Sequence, residues 1–305
     1  MIALSGLGRT GRIFVLGVLQ LLLGAGCTSF EPGGTIGDTG GGGGGTGGGF
    51  SFFTPQPSKP PEPPRPDPQS VWPPRAVWLS RFELANYRTP EAIAALMDKI
   101  KGAGLNTVLL QVRGNGTSYY HSSIEPIAWD PGFDPLEVAC REAHRRGLAL
   151  QAWVNVMPGW RGKEPPKEPN QLYNAHPEWF WYDQHGKRQP LGNFYVSVNP
   201  CLPEVRRYLV SVFEEIVRKY PVDGLHLDYI RFPNEESPRG SDYPYDARTL
   251  ALYRQATGKR PQDDKNAWSQ WRTQQVTQLV REIREMTRRV RPGTRLTASV
   301  GADAQ

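Results

Sequence analysis

The sequence is poor in cysteine, in long apolar runs and in clustered charge. Besides Cys27 its only cysteines are Cys140 and Cys201; they could pair, but the apolar helical register of Cys140 favours a buried free thiol. The apolar run from Ile13 to Leu23 is too short to span a bilayer. The net charge of +6 includes no basic block, so nucleic acid is not an expected partner. No feature indicates an oligomeric state.

Residues 1–26 are arranged like a secretion signal peptide. Arg9 and Arg12 precede the apolar run, and the small residues GAG stand directly before Cys27. This order suggests a bacterial lipoprotein, in which Cys27 is acylated and becomes the N-terminus. Gly24 stands where such signals usually have leucine, so plain secretion and an uncleaved anchor remain alternatives. We expect an exported protein that a lipid anchors to a membrane, facing the periplasm or the cell wall.

Residues 27–74 are expected to be a tether that follows the lipid-anchor site. A glycine tract, GGGGGGTGGG, is followed by the proline-rich segment PQPSKPPEPPRPDPQ. Glycine tracts behave as flexible coils, whereas proline-rich segments are stiffer and extend by roughly 3.1 Å per residue. The tether would hold a folded domain tens of ångströms from a membrane, which suits a substrate in the cell wall.

Residues 75–305 alternate short β-type segments with amphipathic helices. This alternation predicts one α/β domain with a parallel sheet. Apolar residues at spacings of three and four predict helices near 90–102 and 203–219, and Asp134 followed by Pro135 predicts the start of a third. The expected strands are AVWLSRF, NTVLLQVR, LALQAWVNV, DGLHLDYI and RLTASVG, with helices near 90–102, 135–146, 203–219 and 270–290.

The connections between these elements are asymmetric. Links from helix to strand are short, whereas links from strand to helix are long at about 114–133, 157–202 and 231–265. Long loops after strands mark the carboxyl end of the sheet as the functional face. We expect a TIM-like (β/α)8 barrel that is incomplete here, after about five βα units, with an open sheet as the alternative. No dinucleotide-binding glycine motif follows the first strand, and no cofactor is expected.

Strand alternation predicts which side chains point into the barrel mouth, because successive residues face opposite sides. In DGLHLDYI, Leu225, Leu227 and Tyr229 share one face, and His226 and Asp228 share the other. The apolar set should pack under the helices, so His226 and Asp228 are expected to face the barrel axis. The same alternation directs a further set inward: Gln111, Arg113, Gln151, Trp153, Asn155, Thr297 and Ser299, with Asp303 just beyond.

Asp228 is the best candidate for a catalytic carboxylate. Glycoside hydrolysis needs two carboxyl groups, one ionised and one protonated. The candidates for the second are Asp303, Glu125 and Glu83. Arg113 beside Asp228 would keep it ionised, although the two could instead form a structural ion pair. His226 is expected to orient Asp228 or a sugar hydroxyl.

The long segment 157–202 is rich in aromatic residues. Such rings pack against the apolar faces of sugars, but they could equally form a small core within the loop. Trp160, in the sequence MPGWRG, is the better candidate for an exposed platform. The expected substrate-binding residues are Arg113, Trp153, Asn155, Trp160, His226 and Arg231; Asn155 could instead cap a loop.

Several segments in order resemble the family-10-like glycosyl hydrolases of bacterial envelopes. They include RAVWLSRFE, GLNTVLLQVRGNGTSYYHSSIEP, HPEWFWYDQHGK and PVDGLHLDYIRFP. The resemblance covers most of residues 75–290 and implies a (β/α)8 barrel, a lipoprotein and the hydrolysis of peptidoglycan glycan strands. DGLHLD is also similar to the fourth-strand pattern of the α-amylase superfamily, although His226 replaces its arginine. That pattern implies Asp228 as nucleophile and Asp303 as a possible acid.

We therefore expect a glycoside hydrolase that cleaves a cell-envelope polysaccharide, most readily peptidoglycan glycan, by a two-carboxylate mechanism. One alternative is a non-catalytic barrel that binds glycan at the cell wall. A second is a metal-dependent hydrolase that uses His226 and Asp228, but catalytic zinc usually takes three protein ligands. The inward residues supply too few ligands, so no metal is expected.

Overall fold

A five-stranded parallel sheet forms the centre of the computed structural model. The structure describes residues 63–67, 71–232, 238 and 240–300. The sheet strands follow one another in chain order, with helices between them, which confirms the predicted parallel α/β architecture and corresponds to a partial (β/α) barrel. The strands of this sheet are β1 (Ala76–Leu79), β2 (Thr107–Arg113), β3 (Ala149–Asn155), β6 (Gly224–Asp228) and β7 (Arg295–Ala298).

Helices lie over all four predicted segments, and the last of them, Lys265–Val290, begins about five residues before its predicted start. Thr89 accepts a hydrogen bond from the amide of Ala92, and Asp134 accepts from the amides of Leu136 and Glu137, so both helices begin with a side-chain cap. The predicted bounds of the 90–102 and 203–219 helices are confirmed. The helices are α1 (Arg81–Leu84), α2 (Pro90–Gly102), α3 (Pro135–Arg145), α4 (Leu172–Ala175), α5 (Pro203–Lys219), α6 (Ala247–Thr257) and α7 (Lys265–Val290).

One continuous apolar core lies between the sheet and its helices. The outward-facing side chains of β6, Leu225 and Leu227, are buried in it together with Val212 and Ile216 of α5. This burial leaves the opposite face of β6 for polar residues, as strand alternation predicts. Cys140 is buried in the same core and Cys201 is also buried, and the two do not form a disulfide with each other.

Three regions differ from the sequence-based expectation. The segment 157–202 contains an antiparallel hairpin formed by β4 (Pro158–Gly162) and β5 (Gly192–Ser197), and the segment 231–265 contains α6. The first predicted strand is also shorter than AVWLSRF. Ser80 and Glu83 form a capping box that ends β1 and begins α1, since each side chain accepts a bond from the other's backbone amide.

The amino-terminal end of the sheet is held by an ion-pair network. Asp223 lies just before β6. Its carboxylate forms hydrogen bonds with Nε of Arg65 at 2.9 Å, Nε2 of His144 at 2.9 Å and the backbone amide of Leu150 at 2.8 Å. The last described part of the proline-rich segment is therefore attached to the face opposite the barrel mouth. Among the described helices, none combines the length and apolar character needed to cross a membrane.

Candidate active site

Asp228 ends β6 at the carboxyl edge of the sheet, next to Asn155 at the end of β3. Its side chain is buried, with 9% of the residue exposed. Oδ1 accepts the backbone amide of Tyr229 at 2.8 Å, and Oδ2 accepts Nε1 of Trp153 at 3.2 Å. Tyr229 has a φ of 52°, a left-handed conformation that is rare for a bulky residue. Such backbone strain concentrates at functional sites.

The environment of Asp228 changes its acidity. Burial raises the pKa of this carboxyl group, and the hydrogen bonds from Tyr229 and Trp153 and the charge of Arg231 offset only part of the rise. Each carboxylate oxygen nevertheless accepts a hydrogen bond, from Tyr229 or from Trp153, and these bonds stabilise the ionised form. Arg113 does not contribute to the pKa shift of Asp228, because its guanidinium pairs with Glu125. The expectation that Arg113 keeps Asp228 ionised is therefore wrong.

Arg113 turns away from the mouth because the strand is irregular. The register between β2 and β3 shifts between Gln111 and Arg113, and such a bulge re-aims the next side chain. The fully buried guanidinium instead forms an ion pair with Glu125, Nη2 to Oε1 at 2.7 Å, and the hydroxyl of Tyr208 also donates to Glu125. The remaining Arg113 donors reach the carbonyls of Asn155, Val156 and Pro158. Arg113 and Glu125 thus form a buried structural pair.

The other candidate acids differ in their placement. Glu83 is exposed and its carboxylate accepts from the amide and hydroxyl of Ser80, so it caps α1. Asp303 and the predicted lipidation residue Cys27 lie outside the described residues. Glu83 and Glu125 are thereby occupied by contacts away from Asp228, and Asp303 stays a sequence-based prediction.

A layer of polar and aromatic side chains fills the sheet interior below Asp228. Nδ1 of His226 lies 2.7 Å from Oγ1 of Thr297, which donates to Oε1 of Gln151 at 2.8 Å. The ring of Trp78 meets the rings of Trp153 and His226 edge-on, at 4.5 and 4.8 Å between centroids. Burial lowers the pKa of His226 to about 4, so the imidazole is neutral at neutral pH.

His226 and Asp228 are not joined by further metal-binding side chains. The described residues contain no group of three or more histidine, cysteine, aspartate or glutamate side chains able to hold a metal ion. His226 is instead oriented by Thr297, and its Nε2 is buried without a hydrogen-bond partner in the structure. Its neighbours therefore support a role in shaping the site floor beneath Asp228.

Asn155 belongs to a hydrogen-bonded wall of the mouth that strand alternation predicts only in part. Gln111 donates from Nε2 to Oδ1 of Asn155 at 3.1 Å, and Nδ2 of Asn155 lies 3.5 Å from the hydroxyl of Tyr195. The backbone amide of Arg81 donates to Oε1 of Gln111, and its Nη2 donates to Tyr195. Arg81 was absent from the sequence-based set of candidates. The Ser80 capping box is the sequence signal that places it at the mouth.

The aromatic segment 157–202 contains rings buried in the protein interior and rings near the mouth. Phe180 and Trp181 are buried, and Nε1 of Trp181 donates to the carbonyl of Val198. Phe180 belongs to the main apolar core, and the ring of Trp181 packs against Phe232 and Tyr243 of the segment 231–265, so HPEWFWYD does not form a separate core within its own loop. Trp160 is half-buried, with Nε1 bonded to the carbonyl of Glu164.

Three other aromatic rings, those of Tyr229, Tyr195 and Phe194, are connected to Asp228 through Tyr229. The ring of Tyr229 packs 5.1 Å from that of Tyr195 and 6.1 Å from that of Phe194. The guanidinium of the exposed residue Arg231 lies 5.1 Å from the ring of Tyr229. These residues form a better aromatic surface for a sugar at Asp228 than Trp160 does, because Tyr229 is bonded directly to Asp228.

Comparison with known protein families identifies the family of the chain that carries this site. The family model described as glycosyl hydrolase-like 10 matches residues 73–303. The chain belongs to this glycosyl hydrolase-like family. The match includes β1 to β7 and therefore the whole described site, and the resemblance drawn from the motifs is confirmed.

Curated relatives of this family have modest sequence identity. Glycosyl hydrolase DigH of Escherichia coli K12 is 27% identical over 265 residues, covering 76% of this chain and 56% of that protein. Glycosyl hydrolase YngK of Bacillus subtilis is 27% identical over 229 residues, covering 70% of this chain and 40% of that protein. The chain thus spans about half the length of these relatives.

Solved structures support the barrel architecture. The PgaB (BpsB) glycoside hydrolase domain from Bordetella bronchiseptica superposes with a TM-score of 0.55 at 17% identity, covering 74% of this chain and 65% of that one. An α-L-fucosidase isoenzyme from Paenibacillus thiaminolyticus gives a TM-score of 0.52 at 18% identity, covering 70% and 29%. These likenesses establish a fold shared with (β/α)-barrel glycoside hydrolases.

Proposed function

We propose that this family member hydrolyses the glycan strands of peptidoglycan and that Asp228 is its catalytic carboxylate. The observation that carries the proposal is the position of Asp228 at the carboxyl end of the inner strand β6, where it is buried and held by Trp153 and Tyr229. In a (β/α) barrel this edge of the sheet carries the active site. The family assignment supplies the reaction class, and the non-catalytic alternative leaves the strained turn at Tyr229 without a purpose.

Asp228 is proposed to act as the ionised member of the pair, as a nucleophile. The two donors on its oxygens hold the carboxylate in one orientation, which leaves an unshared electron pair free to attack the anomeric carbon. In a retaining mechanism this attack forms a glycosyl ester, and water then releases the sugar. The raised pKa of Asp228 makes the carboxylate more basic and hence more nucleophilic than an exposed aspartate.

Asp303 is proposed as the acid that protonates the leaving oxygen. The pairing of β6 with β7 places His226 beside Thr297, and the amide of Ser299 donates to the carbonyl of Leu227 at 2.9 Å. The chain after β7 therefore leaves the sheet at the same edge as Asp228. Asp303 follows Ser299 by only four residues, which supports its choice over Glu83 and Glu125.

We further propose that Cys27 is acylated and anchors the protein at the cell envelope. The order of Arg9, Arg12, the apolar run and the GAG before Cys27 supports this. The ion pair of Arg65 with Asp223 attaches the tether to the amino-terminal face of the sheet.

The decisive experiment measures the release of soluble fragments from purified, peptide-stripped glycan strands by the full-length chain and by Asp228→Asn. We expect the variant to lose at least about 10³-fold in rate while its melting temperature stays within a few degrees. The amide keeps the shape of the carboxylate but lacks its nucleophilic oxygen. Unchanged turnover in a folded variant would show that Asp228 is not the catalytic carboxylate.

Asp303→Asn separates the two carboxylate roles. We expect it to lose about 10²- to 10⁴-fold on natural glycan but to retain activity on an aryl glycoside whose leaving group needs no protonation. Equal losses on both substrates would contradict the role of Asp303 as acid. Binding of glycan by the wild type without any product would instead favour the non-catalytic alternative.

A further inference from the structure

Arg81 holds a buried positive charge at the rim of the mouth. Only 3% of the residue is exposed. Its guanidinium carbon lies 4.4 Å from the ring centroid of Phe82, 5.9 Å from that of Tyr195 and 6.0 Å from that of Tyr119. Nη2 donates to the hydroxyl of Tyr195 at 3.2 Å. The guanidinium therefore lies among aromatic faces, which attract a cation but do not neutralise its charge.

No carboxylate balances this charge in the described part of the chain. Arg81 is not among the arginines that form ion pairs there, and its Nη1 is buried without a hydrogen-bond partner. Arg113, on the neighbouring strand, is fully paired with Glu125. An uncompensated buried charge is costly, so its retention at a substrate site calls for an anionic ligand.

The backbone around Arg81 is shaped to admit the guanidinium. A Cβ atom at Gly114 would lie 2.5 Å from Nη1 and 2.6 Å from the guanidinium carbon, so any other residue there would displace the charge. The exposed ring of Phe82, 59% accessible, covers the guanidinium on the solvent side. An exposed aromatic ring beside a buried cation is suited to a sugar that carries an acidic group.

Arg81 is connected to Asp228 through the wall of the mouth. Its amide donates to Gln111, its guanidinium to Tyr195, and the Tyr195 ring packs edge-on at 5.1 Å against Tyr229, the residue after Asp228. A ligand group at Arg81 therefore belongs to the same substrate chain as the sugar at Asp228, not to a separate site.

We propose that Arg81 binds a carboxylate carried by the glycan, so that the enzyme selects strands with acidic sugars; this inference rests on the function proposed above. One guanidinium balances one negative charge, which matches a sugar carboxylate. The planar fork of arginine can give two parallel hydrogen bonds to that group. Two sources share this chemistry, the lactyl ether of muramic acid and the carboxyl of a uronic acid.

The test compares kcat/KM on two forms of one substrate. Peptide-stripped peptidoglycan glycan is used as such and after chemical reduction of its carboxyl groups to alcohols. The ratio of the two values within one protein sample does not depend on the fraction of active enzyme. A uronic-acid polysaccharide and a chitin oligosaccharide, which has no carboxyl group, distinguish the two sources.

We expect the wild type to prefer the carboxyl form by about 10- to 100-fold, the size of a hydrogen-bonded contact to a charged group. Arg81→Gln should bring the ratio close to one. Gly114→Ala keeps the charge but displaces the guanidinium, and should also lower the ratio. Arg207→Gln removes an exposed charge from α5 and should leave the ratio as in the wild type.

Three results would overturn the inference. A wild type without preference, or an Arg81→Gln variant that keeps the wild-type preference, refutes the role of Arg81 while glycan cleavage continues and the proposed function stands. A wild type that neither binds nor cleaves either form refutes the proposed function and this inference with it. If Arg81→Gln does not fold, Gly114→Ala decides by the same ratio.

Discussion

Two aspartates at opposite ends of one strand have opposite acidities. Asp223 precedes β6 and Asp228 ends it. Burial by itself would raise the pKa of both carboxyl groups. At Asp223 the hydrogen bonds from His144, Leu150 and Arg65 outweigh burial and hold the pKa below its usual value. At Asp228 two hydrogen bonds do not suffice, and the pKa stays raised.

The same contrast separates the two buried arginines of the neighbouring strands and loops. Arg113 has a carboxylate and three backbone carbonyls as partners, whereas Arg81 has tyrosine hydroxyls and aromatic rings. Where charges are fully partnered, they support the fold. Where partners are incomplete, at the mouth, the protein leaves bonding capacity for a ligand. Incomplete pairing of buried charge therefore locates the site better than the number of polar residues does.

The largest effect on stability is expected from breaking the Arg113–Glu125 pair. Glu125→Gln leaves the buried guanidinium without a counter-charge, so the free energy of unfolding should fall by about 3–5 kcal/mol. Chemical denaturation measures the change. Glu91→Gln, on the exposed side of α2, should change stability by no more than about 0.5 kcal/mol. A Glu125→Gln variant of wild-type stability would show that the pair is not structural.

Asp223→Asn should lower the free energy of unfolding by about 2 kcal/mol, because the amide cannot accept all three donors. The folded-state pKa of Asp223 is depressed, so the carboxylate stabilises the fold above its unfolded pKa, near the ordinary 3.8. That contribution is lost as the pH falls through the folded pKa. Unfolding measured against pH should thus show a smaller acid-dependent loss in Asp223→Asn. An unchanged dependence below pH 4 would contradict the assignment.

Trp153→Phe tests the opposite shift at the mouth. Removing the indole donor takes a hydrogen bond from the ionised form of Asp228, so the pKa of Asp228 should rise further. The acidic limb of the kcat/KM profile reports the free enzyme. It should lie above the ordinary 3.8 in the wild type, because the pKa of Asp228 is raised, and should move to higher pH in the variant. If the acidic limb has the same pKa in Trp153→Phe as in the wild type, the Trp153 hydrogen bond does not affect the pKa of Asp228.

The smallest effect is expected at the tether. Arg65→Ala removes a partly exposed ion pair with Asp223, and such pairs contribute at most about 1 kcal/mol. Hydrogen exchange at the backbone amides of residue 65 and of Asp67, the two non-proline positions in 63–67, should speed up, while glycan turnover in solution stays at the wild-type level. Slower turnover of soluble glycan would show that the amino-terminal face affects the mouth.

Much of the fold follows from local pattern. The stripe that includes Leu209, Val212 and Ile216 predicts α5, and alternation in DGLHLD correctly directs Leu225 to the core and Asp228 away from it. These predictions hold because periodic burial is a property of a single element. The hairpin β4–β5 was not predicted, since its pairing joins segments about thirty residues apart.

The site was predicted less completely, because two backbone irregularities redirect key arginines. The bulge between Gln111 and Arg113 sends Arg113 to Glu125, where regular alternation would send it to the mouth. The Ser80 cap ends β1 early and brings Arg81 to the mouth, whereas a longer strand would place it on the face of Leu79. The capping box is readable in the sequence SRFE; the bulge has no comparable signal.

The central claim is that Asp228 is catalytic and Asp223 is structural, although these two carboxylates flank the same short strand, β6. The most direct test measures glycan turnover and melting temperature for Asp228→Asn and Asp223→Asn of the full-length chain side by side. Asp228→Asn should lose turnover and keep its melting temperature, and Asp223→Asn should melt earlier while its folded fraction turns over glycan normally. The reverse pattern, or turnover that survives in Asp228→Asn, would contradict the account.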